Sequence, residues 1–135
     1  MRLNYDDIMY VLEHYVTLSK GMWPEPKVDD TGIRRPGVIY NATFETPCII
    51  AAEVARRVRV CGEDGLIVEV MFGMLTGRPV RVLELAQTRR ISIEKIYRKL
   101  HKVVWYCTDA VFQTGQTYEE WKRSTHGHSR YTKKR

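Results

Sequence analysis

The residues of this chain whose type and spacing could do chemistry are cations. Lys95, Arg98, Lys99 and Lys102 recur at i, i+3, i+4 and i+7, the spacing that stacks side chains along one ridge of a helix. Arg78, Arg81, Arg89 and Arg90 lie just upstream. Residues 78–102 hold these eight Lys/Arg against Glu84 and Glu94, a net of +6, and residues 121–135 hold six Lys/Arg and no acid, again +6. The remainder carries eight basic and fourteen acidic residues, so the overall +6 conceals two basic segments on an acidic body. The chemistry this points to is capture of a polyanion. Stacked like charges cost a few tenths of a kcal/mol, about 0.2–0.5 per pair, and counterion release from a polyanion offsets that cost. The alternative is a solvated helix face with a solubilising tail. Such a face would normally intersperse acids, and here only Glu94 is near.

Other chemistries lack their residues. Cys48, Cys61 and Cys107 are scattered with no CxxC, which leaves no zinc or thioredoxin-like spacing. All three are expected to be core thiols on or near apolar helix faces, and Cys107 as a nucleophile lacks an activating base. His126 and His128 have no thiol or acidic neighbour and are read as part of a disordered tail, while His101 stands where it could reach a phosphate. Asp6/Asp7, Asp29/Asp30 and Glu119/Glu120 are adjacent pairs. Neighbours on a helix point about 100° apart, so these do not converge as an acid–base or metal-binding dyad would. Asp64 is explained by helix capping. No Walker loop, GxSxG or HExxH occurs. The expectation is a non-enzyme with no catalytic residues, no metal and no cofactor.

The elements that position the cations read as all-α. At 135 residues the chain is one domain, long enough to bury a core unaided. Asn4 with Asp6 and Asp7 starts a helix, Ile8, Val11, Leu12 and Tyr15 give it an apolar line, and Gly21 stops it. Residues 21–46 hold three prolines and several glycines without helical periodicity. In this long connection Trp23 is expected to pin the loop to the core, Arg34-Arg35 is ambiguous, and Val38–Phe44 could be a short extended piece. Thr46-Pro47 opens a second helix through Ile50, Val54, Val58 and Cys61. A third helix, from about Leu66 to Thr76, is apolar on nearly all sides, which marks a buried position. A fourth runs from Arg78-Pro79 to about Thr88, and a fifth from Ser92 to about Phe112. Tyr118–Arg123 is expected to have weak helical order at most. The organisation is thus about five helices in a domain spanning 1–115, followed by a basic, largely disordered tail over 116–135. The longest apolar run, Leu66 to Leu75, is interrupted by Glu69 and far too short for a membrane span. MRLNYDDIMY has no secretory h-region. A soluble protein of the bacterial cytoplasm is expected, with no membrane partner.

Residues 79–102 read as a helix-turn-helix. Leu85, Ala86, Ile91 and Ile96 have the required spacing: a small residue where the helices cross, an apolar plug in the turn, and another that seats the second helix. Ser92 caps that helix, and Ile91 with Ile96 forms a hydrophobic staple. Ile93, Ile96, Tyr97, Leu100, Val103, Val104, Cys107 and Val111 fall on one face and the cations on the other. Arg89 stands where an apolar residue is usual and Arg90 where glycine is frequent. Either the turn is atypical or both arginines point outward to phosphate. The candidate DNA contacts are Arg78, Arg81, Arg89, Arg90, Ser92, Glu94, Lys95, Arg98, Lys99 and Lys102. Arg98 suits a guanine edge and Lys102 a phosphate. Past Lys102 the ridge turns to Trp105, Tyr106 and Asp109, a surface for protein. The chain's own first helix is favoured to cover it, since that helix otherwise lacks a partner; a second subunit in a homodimer is the alternative.

An N-terminal helix with MYVLEHYVTLSKGMW, a helix ending ARRVRVCGEDG, and then VEVMFGMLTGRPVRVLELAQTRRISIEKIYRKLHKVVWYCTDAVF together resemble a known layout. It is that of phage and prophage late-gene transcription regulators, the Q-type antiterminator and RinA/ArpU-like helix-turn-helix proteins. The resemblance covers about residues 8–112, and its specific part is Leu85–Leu100, similar to their sigma-region-4-like helix-turn-helix. It implies sequence-specific binding to double-stranded phage DNA and, in some members, contact with RNA polymerase and a role in antitermination. Two rival readings remain at this stage. One is a small terminase-like DNA-packaging protein, and the other a non-enzymatic protein-interaction module with a basic helix face.

Overall fold

A computed structural model of the protein describes residues 2–24 and 46–124. The Arg34-Arg35 pair, Val38–Phe44 and the His126/His128 tail lie outside the described residues. Those described form eight helices and no strand: α1 (Tyr5–Glu13), α2 (Tyr15–Ser19), α3 (Pro47–Arg59), α4 (Gly62–Met71), α5 (Val82–Arg89), α6 (Ile93–Cys107), α7 (Asp109–Phe112) and α8 (Tyr118–Ser124). The all-α class expected from periodicity is present, with more helices than the five anticipated. Among the described residues no helix is long and apolar enough to cross a membrane.

The additional helices arise where tertiary contacts interrupt a run that the sequence leaves continuous. The first helix begins as expected, with Asn4 and Asp7 exchanging a reciprocal capping box. It breaks at His14 (φ −115°, ψ 20°), and the short α2 that follows packs on α3 and buries Leu18. The long fifth helix stops at Cys107 rather than Phe112. Arg57 Nη1 donates to the Cys107 carbonyl at 2.8 Å, while the Asp109 amide is spent on the Leu3 carbonyl at 2.9 Å. Thr108 therefore leaves helical geometry (ψ 155°), and α7 starts as a separate turn.

Helix α3 opens at Thr46-Pro47, where Thr46 accepts from the Ile49 amide. Its apolar line of Ile50, Val54 and Val58 is fully buried. Helix α4 starts four residues before the expected Leu66, because Gly62–Gly65 form its first turn. Asp64 is therefore not a cap. It is a buried residue inside the helix. Gly65 allows α3 and α4 their close approach: a Cβ there would stand 2.2 Å from the Val58 carbonyl oxygen. The helix also ends earlier than expected, at Met71. Gly73 turns the chain at φ +70°, with the Arg78–Pro79 backbone 2.8 Å from where its Cβ would be. The Val80 amide then bonds back to the Met71 carbonyl, which holds residues 78–81 out of helix and delays α5 to Val82.

The largest departure is α8. The segment expected to have weak order at most is a helix whose Tyr118 and Trp121 are buried in the common core. Its start is a capping box: Glu120 N–H donates to Thr117 Oγ1 at 3.1 Å, and Thr117 N–H donates to Glu120 Oε1 at 3.0 Å. Tyr106 of α6 meets the rings of Tyr118, Trp121 and Phe112 at 5.4–5.8 Å and donates from its hydroxyl to the Gln116 carbonyl. The expected partner of Trp105 is also present. Tyr5 of α1 packs on it at 4.8 Å between ring centroids. The chain's own first and last helices thus cover the aromatic ridge of α6.

Two smaller expectations fail. Cys48 is exposed at the start of α3, where only a weak contact to Thr46 Oγ1 at 3.5 Å holds it; Cys61 and Cys107 are the buried thiols. Trp23 is 38% exposed and is not among the residues packed on the core, and the rest of the connection lies outside the described residues.

Candidate nucleic-acid interface

Helix α5, a three-residue turn and α6 occupy the stretch where a helix-turn-helix is expected from the sequence. Leu85 and Ala86 on α5 and Ile96 on α6 are buried between the helices, with Ile91 half-buried in the turn. The Ile91 amide bonds to the Ala86 carbonyl at 3.2 Å. Arg90 takes the left-handed conformation (φ 58°, ψ 44°), the only non-glycine residue among those described with positive φ. The turn is therefore compact despite lacking glycine, at a cost of about 1–2 kcal/mol for a side chain held there. Ser92 caps α6 by accepting from the Lys95 amide at 3.1 Å.

Eight of the ten expected contacts stand on the surface: Arg78, Arg81, Arg89, Arg90, Ser92, Glu94, Lys95 and Arg98 are all exposed. Among the described residues, no carboxylate forms an ion pair with any of the six cations in that set. These exposed residues belong to the 78–81 segment, the end of α5, the turn and the first two turns of α6.

The other two are placed differently. Lys99 is half-buried, and its ammonium donates to Asp64 Oδ1 of α4 at 2.8 Å. Lys102 is also half-buried, and its ammonium is pushed below the usual lysine range by desolvation and by the neighbouring charge of Lys122. The four-lysine-and-arginine ridge is thus split. Lys95 and Arg98 face solvent, while Lys99 and Lys102 lean over the junction of α4, α6 and α8.

Sequence reasoning missed that junction. Asp64, only 8% exposed at its side chain, also accepts from the Tyr118 hydroxyl at 2.8 Å and from the Lys122 ammonium at 3.4 Å. Burial pushes its carboxyl up, but hydrogen bonds from Lys99 and Tyr118 and the charge of Lys122 outweigh that and hold it below the ordinary carboxylate range. The same burial, with Asp64 as acceptor, pushes the Tyr118 hydroxyl far up, so it remains a donor. The signal that could have exposed this cluster is the Thr117-x-x-Glu120 box, with Tyr118 and Trp121 three residues apart.

Other side chains of α6 also differ from expectation. Ile93 and Tyr97, assigned to the buried face, are 40% and 44% exposed beside Glu94 and Arg98. They lie at the rim of the apolar stripe, where α5 is too short to cover them. His101 does not hang free toward a phosphate: its Nδ1 shares a short hydrogen bond with the Tyr5 hydroxyl, and the rings stack. Asp109 accepts from Arg57 Nη1 at 2.8 Å and from the Leu3 amide at 3.0 Å, a structural tie rather than a surface acid.

No protein-family model, no curated protein and no solved structure matches this chain. What the arrangement can do chemically therefore rests on its own geometry: the start of α6 exposes Lys95 and Arg98, which have no ion-pair partner among the described residues, beside the apolar Ile93 and Tyr97.

Proposed function

We propose that the protein is a sequence-specific DNA-binding transcription regulator of phage type, with the N-terminal half of α6 as its recognition helix. The observation that carries this reading is that six exposed cations of the 78–81 segment, the end of α5, the turn and the start of α6 have no ion-pair partner among the described residues. Backbone phosphates favour the arginines of the 78–81 segment and of the turn, which orient the protein without reading sequence. Base edges favour the first two turns of α6, where Arg98 suits guanine O6 and N7. Contact with RNA polymerase belongs to the same proposal, through the sigma-region-4-like resemblance of Leu85–Leu100.

Selection from genomic and phage DNA fragments, followed by affinity measurement across salt, tests the reading. Capture of about 4–5 phosphates gives a slope of log K against log salt near −4. Arg98→Ala is expected to cost about 1–3 kcal/mol on the selected site and to flatten its preference over random duplex. A flat salt response, or no duplex bound at low salt, removes the proposal. A stable ring by light scattering would move the protein to DNA packaging instead.

A further inference from the structure

The half-buried end of the basic ridge has a charge balance that the recognition surface does not explain. Two ammonium groups, Lys99 and Lys122, converge on one carboxylate, Asp64, at 2.8 and 3.4 Å. Lys122 is held there from a second direction, with its ammonium 4.8 Å from the centre of the Tyr118 ring. Lys102 lies one helical turn beyond Lys99 on the same side of α6. It is half-buried, and among the described residues it has no ion-pair partner. Lys122 also stands 3.7 Å from Glu119 Oε2, an exposed carboxylate of its own helix, so three ammonium groups meet two carboxylates, a local excess of one positive charge. Arg98 adds to the field on the outer side. The like charges of Lys122, Lys99 and Arg98, together with desolvation, already work against protonated Lys102. A further anion placed between Lys102 and Lys122 would relieve that repulsion, while Asp64 stays occupied fixing Lys99 and Tyr118.

We propose that Lys102 and Lys122, held by the Asp64–Lys99–Tyr118 cluster, form a phosphate-binding site at the junction of α4, α6 and α8. This rests on the DNA-binding reading and deepens it. The phosphate is a backbone phosphodiester of the bound duplex, on the flank of the recognition helix. Helix α8 is then part of the DNA-binding unit. Asp64 is a positioning residue, because its carboxylate sets where Lys99 and Lys122 stand without touching the phosphate.

The test is Lys122→Gln, which keeps the stem over Tyr118 and removes the charge, measured on a short random duplex across a salt series. Loss of one phosphate contact makes the slope of log K against log salt less negative by about 0.9 and weakens binding about three- to tenfold. Lys122→Arg should restore both, and Lys20→Ala, at the exposed end of α2, should alter neither. Lys122→Gln that binds duplex with the wild-type slope overturns the site. A loss that Lys122→Arg does not restore is a packing effect of α8 and overturns it equally. If the wild-type protein binds no duplex, the DNA reading fails by itself. Inorganic phosphate titrated against the lysine ε-methylene NMR signals then decides: shifts at Lys102 and Lys122 assign the site to a free phosphate, and their absence removes it.

Discussion

Lys99 of α6 and Asp64 of α4 hold one another at 2.8 Å across an extensive contact between the two helices. This pairing takes a cation out of the outward ridge and makes it a brace for α6. The brace is shared with α8 through Tyr118 and Lys122. The orientation of α6 against the body of the protein therefore depends on a carboxylate of α4.

Asp64→Asn should destabilise the protein by about 1–3 kcal/mol at neutral pH, because charged hydrogen bonds are lost but the quarter-exposed lysines can still reach water. The pH dependence has a defined sign. A carboxyl held below its ordinary range contributes stability above the unfolded value, near pH 4, and loses it as pH falls through the lower folded value. Asp7 works oppositely, since burial raises its carboxyl. The difference between wild type and Asp64→Asn isolates the Asp64 part. Chemical denaturation from pH 7 down to about pH 2 should show that gap closing below about pH 4; a gap constant with pH would mean that the Asp64 carboxyl titrates alike in the folded and the unfolded chain.

Arg90→Gly separates fold from binding at the turn. With φ at 58°, the arginine occupies a conformation that glycine adopts without strain. Against this, glycine loosens the unfolded chain. A net stabilisation of about 0.5–1 kcal/mol is expected, with weaker binding to all duplexes alike. Arg90→Gly with lower stability would mean that the side chain makes native contacts. Unchanged DNA affinity would remove Arg90 from the phosphate contacts.

The run from α5 through the turn into α6 was legible because its signals are local. Leu85, Ala86, Ile91 and Ile96 lie within twelve residues, and the Ser92 cap acts three residues ahead. The end of α6 was not legible, because no glycine or proline marks it. Cys107 is the last helical residue because Arg57, fifty residues away, takes its carbonyl, and Leu3 takes the next amide but one. The placement of Lys99 was hidden in the same way: periodicity puts it on the basic ridge, and only the fold brings Asp64 to it. Helix α8 is a different failure. Its capping box is present in the sequence, but two apolar residues in a short segment that leads into the basic tail give too little periodicity to mark a buried helix.

Trp121→Ala and a cut after Ser124 should part company. Trp121 is buried against Tyr106 and Tyr118, so its truncation should cost about 3 kcal/mol, the low end for a buried tryptophan, because α8 can detach as a unit. Removal of 125–135 should change stability by less than about 0.5 kcal/mol while weakening all DNA binding alike through loss of Arg130, Lys133, Lys134 and Arg135. Thermal melting and duplex titration of both variants read this directly. If the cut after Ser124 unfolds the protein, the last residues are part of the fold and not an electrostatic arm.

Ile93→Ala and Ile96→Ala offer the sharpest separation of reading from folding, since they lie three residues apart on one helix. Ile96 is fully buried between α5 and α6, and its truncation should destabilise by about 2–5 kcal/mol. Ile93 is 40% exposed at the first position of α6, beside Tyr97, on the turns that face base edges in the proposed complex. Its truncation should cost under about 1 kcal/mol of stability, since much of the side chain already meets water. An apolar side chain at that position matches a thymine methyl. Ile93→Ala should therefore lower affinity for the selected site more than for random duplex, and replacing thymine by uracil in that site should weaken the wild type but not Ile93→Ala. If uracil substitution has equal effects on both proteins, Ile93 does not meet a methyl group. If Ile93→Ala unfolds as readily as Ile96→Ala, the rim of α6 belongs to the core and the recognition surface is narrower, confined to Glu94, Lys95 and Arg98.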